Sequence, residues 1–144
     1  MYYIIFKFTG LRCAMLVNQD SNHSKYQIHS YNIISIINNH AEIKINQITY
    51  TESVFIYDNK LISPWRPHSF DDLQISDFEA LWIKPPPILL LGTGKELHIP
   101  DMALLRPLFE KGIGVEFMNS AAASRTYNVL SAENREVAIG LIII

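Results

Sequence analysis

Apolar positions recur along this chain in distinct rhythms, and each rhythm implies a different element. Ile88-Leu89-Leu90-Leu91 is an unbroken apolar run between Pro87 and Gly92. It is too short for a helix and continuous, as expected of a strand buried on both faces. Beyond it the spacing opens to that of helices. Met102, Leu105, Leu108 and Phe109 form a stripe after Asp101, and Gly112 follows as a stop. Pro107 interrupts this pattern, since an interior proline costs ~3 kcal/mol or more, and it predicts a kink or a late start. Gly114-Val115-Glu116-Phe117-Met118 reads as the next strand. Asn119 or Ser120 caps a further helix in which Ala123, Tyr127 and Leu130 share a face, and the Ala121-Ala122-Ala123 run allows close approach to a sheet. Residues 137–144 end the chain as a buried strand. The segment 88–144 is therefore a βαβαβ unit.

Upstream the rhythm is alternation. Ile43, Ile45, Ile48, Tyr50, Val54, Ile56 and Leu61 fall in brief runs separated by Asn38-Asn39, Asn46-Gln47 and Asp58-Asn59-Lys60. Asn and Asp tolerate φ > 0 and bond their own backbone, so these are hairpin turns and the half is an antiparallel β layer. Pro64 and Pro67 end the hairpins, because proline cannot donate to a ladder. Residues 71–83 carry a helix signal: Ser76 as N-cap, Glu79 completing a capping box, and Phe78, Leu81 and Trp82 on one face. Lys84-Pro85-Pro86-Pro87 stops it.

Residues 1–26 stand apart as an N-terminal extension, with 27–144 forming a single domain. Met1 to Phe8 is apolar apart from Lys7, too short for a bilayer span of about 20 residues and without the flanks of a signal peptide. It reads as an added strand or loosely held arm, or as an artefact if synthesis starts at Met15; residues 19–25 read as a loop. An apolar content of 49% over 144 residues is enough for one packed core. A net charge of −2 gives no general attraction to nucleic acid or anionic membrane. Cys13 stands alone, which excludes an intramolecular disulfide and a thiolate metal cluster.

The candidate chemistry lies at the carboxyl ends of the strands. Gly92-Thr93-Gly94 follows a strand, but a dinucleotide fingerprint needs a third glycine and an immediate helix, and Lys95 is not followed by Ser or Thr as in a triphosphate loop. The five histidines show no paired-ligand spacing, Ser120, Ser124 and Thr126 lack a nucleophile elbow, and Asp71-Asp72 reads as a solvated pair. No cofactor or metal is implied. Ser124, Arg125 and Asn128 lie three and four apart near a helix start, which suits a small anion. If the strands before Gly92 and Asn119 are parallel neighbours, their loops open on one edge, as ligand sites do in such sheets. The expectation is a weak carboxylate or phosphate site built from Gly92, Thr93, Gly94, Ser120, Ser124, Arg125 and Asn128. The structural alternative has Arg125 and Asn128 satisfying backbone carbonyls across the domain. An enzymatic alternative makes Thr93 or Ser124 a nucleophile activated by Lys95.

Taken in order, Leu89-Leu90-Leu91-Gly92-Thr93-Gly94, Gly112-Ile113-Gly114-Val115-Glu116, and Ala121-Ala122-Ala123 with Arg125-Thr126-Tyr127-Asn128 resemble the Mth-type domain family of unknown function. Tyr31, Tyr50, Ser53 and Trp65 add upstream landmarks, and the resemblance spans residues 27–142. It implies a three-layer α/β domain with a mixed central sheet and an antiparallel β layer from the N-terminal half. No catalytic activity comes with it. The family includes a mitochondrial complex I assembly factor, so the resemblance implies a non-enzymatic interaction or assembly role with a protein partner. The N-terminus lacks the Arg- and Ser-rich character of a mitochondrial transit peptide, and the expected setting is a bacterial-type cytoplasm. Exposed strand edges also permit a homodimer.

Overall fold

The computed structural model describes residues 2–8, 11–17, 26–35 and 40–143. In chain order the strands and helices are β1 (Tyr2–Phe8), β2 (Leu11–Val17), β3 (Ile28–Ser35), β4 (His40–Ile45), β5 (Ile48–Tyr50), β6 (Val54–Tyr57), β7 (Lys60–Ser63), 3-10 helices at Phe70–Asp72 and Ile75–Leu81, β8 (Ile88–Gly92), α1 (Met102–Glu110), β9 (Gly114–Met118), α2 (Ser120–Ala132) and β10 (Val137–Leu141). The turn expected at Asn38-Asn39 and the loop expected at residues 19–25 lie outside the described residues.

The main sheet has the order β1-β2-β7-β6-β10-β8-β9, with β10, β8 and β9 parallel and the rest antiparallel. The second sheet, β3-β4-β5, is antiparallel. The N-terminal half thus divides. Strands β3 to β5 form the separate layer, while β1, β2, β6 and β7 complete the mixed central sheet. The turns expected at Asn46-Gln47 and Asp58-Asn59 are two-residue connections with φ of 47° and 71°, and of 48° and 57°. That left-handed pair is what a tight hairpin matched to strand twist requires.

β8 connects through α1 to β9 on one side and β9 returns through α2 to β10 on the other. Right-handed crossovers running in opposite directions place the two helices on opposite faces. Strand alternation then fills two cores. Leu90, Val54, Ile56, Ile139 and Leu141 face Ala123 and Tyr127 of α2 together with Ile28, Ile43 and Ile45 of the second sheet. Leu89, Leu91, Phe55 and Ala138 face Leu105 and Leu108 of α1 together with Trp65, Phe78 and Leu81. The result is three layers around one central sheet. Gly140 permits the close seat of Trp65 on the second face, where a Cβ would lie 2.7 Å from its ring.

Two local expectations are corrected. The segment 71–83 is not an α-helix; it forms two 3-10 helices, with Phe78 outside helical geometry at φ −104° and ψ 15°. Its capping box is Gln74–Asp77 rather than Ser76–Glu79. The physical reason is Arg66, which already holds Asp77 at 2.6 Å and leaves its second bond for Gln74 N–H at 2.7 Å. Phe78 and Leu81 are nonetheless fully buried, as their spacing required. In α1 there is no late start: the Asp101 side chain accepts Ala103 N–H at 2.9 Å and the helix runs through Pro107. The carbonyl that Pro107 cannot reach belongs to Ala103, which is exposed and can be hydrated.

Candidate functional site

The loop after β8 is built from backbone that must pass close to its neighbours. A Cβ on Gly92 would lie 2.5 Å from Leu141 Cδ2 and 2.9 Å from Ser120 Cα, so only glycine fits. Gly92 O accepts Ile142 N–H at 2.9 Å, and Met118 O accepts Thr93 N–H at 2.9 Å. Gly94 O accepts Ser120 N–H at 2.8 Å, while Gly94 N–H donates to Ser120 Oγ at 2.9 Å. The same hydroxyl donates to Ile142 O at 2.8 Å. Ser120, fully buried, thereby ties together the carboxyl ends of all three parallel strands.

Thr93, 1% exposed, serves the loop itself. Its hydroxyl donates to Glu96 O at 2.6 Å and accepts His98 N–H at 3.0 Å, which fixes the backbone of 94–98. His98 stacks on Phe70 with ring centroids 5.5 Å apart. From this base the chain exposes Leu97 and Ile99, followed by Met102 at the first position of α1.

At the start of α2, Asn119 is the cap, accepting Ala122 N–H at 2.8 Å. Ser124 Oγ donates to Ser120 O at 2.7 Å within the helix. Asn128 turns to the second sheet, accepting Ile28 N–H at 3.0 Å and donating to Ile28 O at 2.7 Å, and so acts as an artificial strand partner for β3. Arg125 is exposed and makes no hydrogen bond or ion pair among the described residues. Of the residues singled out in the sequence, the structure brings Gly92, Thr93, Gly94 and Ser120 into one knot. Ser124 lies a turn away, Asn128 faces β3, and Arg125 faces solvent.

A second polar cluster went unread in the sequence. Arg66 Nη1 holds Asp72 at 3.1 Å, and its guanidinium also bonds Asp72 O and both Asp77 oxygens. The expectation that Asp71-Asp72 is a solvated pair is corrected for Asp72, whose carboxyl is held below the usual range by His68 N–H and by Arg66. The hint in the sequence was an arginine six residues upstream inside a proline-bracketed loop. Tyr57 is also perturbed: burial, then Asp58 and Glu136, push its phenol up to about 12, and it donates to Lys84 O. Among the described residues no three His, Cys, Asp or Glu side chains gather as a metal site, and no helix is long and apolar enough to cross a membrane.

Residues 38–142 match the model of a family described as a protein of unknown function (DUF498/DUF598). The chain belongs to that family. The family's fold is borne out by solved structures, among them a Bordetella parapertussis protein (TM-score 0.73, 29% identity, covering 84% of this chain and 98% of that one). A Xanthomonas campestris protein is similar at TM-score 0.71 and 31% identity, covering 90% and 92%. A 23% identical Bordetella pertussis structure, described as a Mth938-like domain, shares the fold at TM-score 0.66 over 89% of this chain and 92% of that one. In sequence, the chain is 36% identical over 70 residues to the 13 kDa major membrane protein of Francisella tularensis, covering 46% of this chain and 57% of that protein. It is 32% identical over 85 residues to NADH dehydrogenase (ubiquinone) 1 alpha subcomplex assembly factor 3 of Xenopus tropicalis, covering 58% and 46%. The chain therefore spans about half the length of these relatives.

Proposed function

We propose that this chain is a non-enzymatic protein-binding factor of the assembly-factor kind, meeting its partner with the apolar rim at the carboxyl ends of the parallel strands. The observation that carries this reading is the exposure of Leu97, Ile99 and Met102, at 55%, 74% and 51%. Large apolar side chains exposed close together mark interaction surfaces, whereas single ones are ordinary. Their loop is fixed at its base by Thr93 and Ser120, so little ordering entropy remains to be lost on docking. The hydroxyls of Thr93, Ser120 and Ser124 all donate to backbone carbonyls, an arrangement that supports a scaffold better than a nucleophile. A respiratory-complex partner is the finer form of the proposal and draws on the names of vertebrate relatives. A photo-crosslinking residue at Ile99, compared with one at exposed Glu133, tests it in the native cell. A discrete protein adduct from position 99 alone is expected; adducts from both positions or neither overturn the docking surface.

Arg125, exposed and unpaired among the described residues, favours a second, smaller role, a weak carboxylate or phosphate contact beside the Gly92-Thr93-Gly94 and Ser120 edge. Arg125→Ala should then abolish weak phosphate binding in titrations followed by NMR, with the melting temperature nearly kept. Phosphate binding that survives the substitution overturns this role.

A further inference from the structure

At the amino ends of the parallel strands, opposite the knot, lies a cavity of about 240 Å³ between β6, β7 and the end of the second 3-10 helix. Its walls are apolar: Phe55, Tyr57, Ile62, Ala80 and Ile83. Ile83 is 98% exposed, which leaves a large aliphatic side chain at the mouth without a covering group.

The frame around it is rigid. Phe55 packs on Trp65 and Phe78 with ring centroids 5.2 Å and 6.5 Å apart, and Trp65 packs on Phe78 at 5.9 Å. Trp65 Nε1 donates to Asp77 O at 3.1 Å, and Arg66 ties the same residue, so the 3-10 helix that carries Ala80 is pinned. Tyr57 gives its hydroxyl to Lys84 O and presents its ring to the cavity. The three prolines after Lys84 hold that side stiff. The cavity is thus built by the fold and does not depend on a ligand to form it.

Size and charge narrow the occupant. An apolar cavity of roughly 150 Å³ takes benzene, with its six carbons, so this one suits about ten non-hydrogen atoms. Lys60 and Lys84 line it against a single carboxylate, Asp58. Lys84 pairs with Glu136 at 3.3 Å, but both are more than half exposed and the pair is weakly held. Lys60 makes no ion pair among the described residues. We propose that this cavity binds a medium-chain aliphatic monocarboxylate, its chain against Phe55, Tyr57 and Ile62 and its head at Lys60.

Octanoate, with ten non-hydrogen atoms, is the probe. Titrated into the full chain, it should saturate with amide shifts confined to residues of β6, β7 and 80–84, and show nuclear Overhauser contacts from its methylenes to Ile62 and Tyr57. Lys60→Gln should weaken it about threefold, as loss of an exposed charge does. Ala80→Phe, at an exposed position on the wall, should fill the space and weaken binding at least tenfold with folding kept. Octanol binding as tightly as octanoate overturns the carboxylate assignment. Shifts that do not saturate, or that gather on 97–102, overturn the site. The contacts in the unaltered protein decide the matter even if Ala80→Phe fails to fold.

Discussion

Ser120 shows how much a single hydroxyl can hold. It accepts from Gly94 N–H and donates to Ile142 O while fully buried, so its removal strands one donor and one acceptor away from water. Buried unsatisfied groups cost roughly 1–3 kcal/mol each, and some relaxation is expected, so Ser120→Ala should destabilise by about 2–3 kcal/mol in denaturant titrations. A loss below about 0.5 kcal/mol would show that the strand ends do not depend on this tie. Tyr57 sets a pH limit by the opposite route. Its phenol is raised from 10.0 to about 12, so the folded state keeps the proton after the unfolded chain has released it. The contribution is fully present below pH 10.0 and is lost as pH rises toward about 12. Thermal melts should show the native protein losing stability across that window more steeply than Tyr57→Phe. Parallel curves would remove Tyr57 as the cause.

At the scale of elements, what was legible in the sequence was what depends on local pattern. The run Ile88-Leu89-Leu90-Leu91, the cap at Asn119 or Ser120, and the Asp58-Asn59-Lys60 turn each declare themselves within a few residues; the strand is found as read, the cap falls on Asn119, and the turn narrows to Asp58-Asn59. The helix at 71–83 was misread because its geometry is decided at a distance. Arg66 takes Asp77, Trp65 bonds Asp77 O, and Phe78 turns into the aromatic cluster at the expense of helical backbone. For Asn128 the structural alternative, a bond to a backbone carbonyl across the domain, is what is found, but that the carbonyl belongs to Ile28, 100 residues away, lies beyond any spacing rule. Arg66 therefore controls an element it does not belong to. Arg66→Ala leaves the nearly buried Asp77 carboxylate with Gln74 N–H alone, and should cost about 1–2 kcal/mol, less than a fully buried pair because Arg66 is itself part-exposed. For a chain of this size that is a melting shift of roughly 3–6 °C. Amide exchange should rise first across Ile75–Leu81; a uniform rise over the whole chain would contradict the local role.

From β7 to β9 the central sheet is covered on both faces, and its vulnerable part is the edge at β7. β2 pairs along the outer side of β7, from Arg12 opposite Ser63 to Met15 opposite Lys60, and β1 lies beyond it. The family match begins at residue 38, downstream of this hairpin. We read the hairpin as an edge cover added to a domain that folds from the later residues. Without it, β7 would present unpaired N–H and C=O groups, which invite pairing with another chain. A variant lacking residues 1–14 should accordingly keep a cooperative melt within a few degrees of the full chain at low concentration, yet self-associate as concentration rises. Light scattering coupled to size exclusion reads the second part, and calorimetry reads the first. Loss of the cooperative melt would make the hairpin part of the folding core. A variant that stays monomeric at every concentration would show that β7 is guarded by something else, and the edge-cover reading would fall.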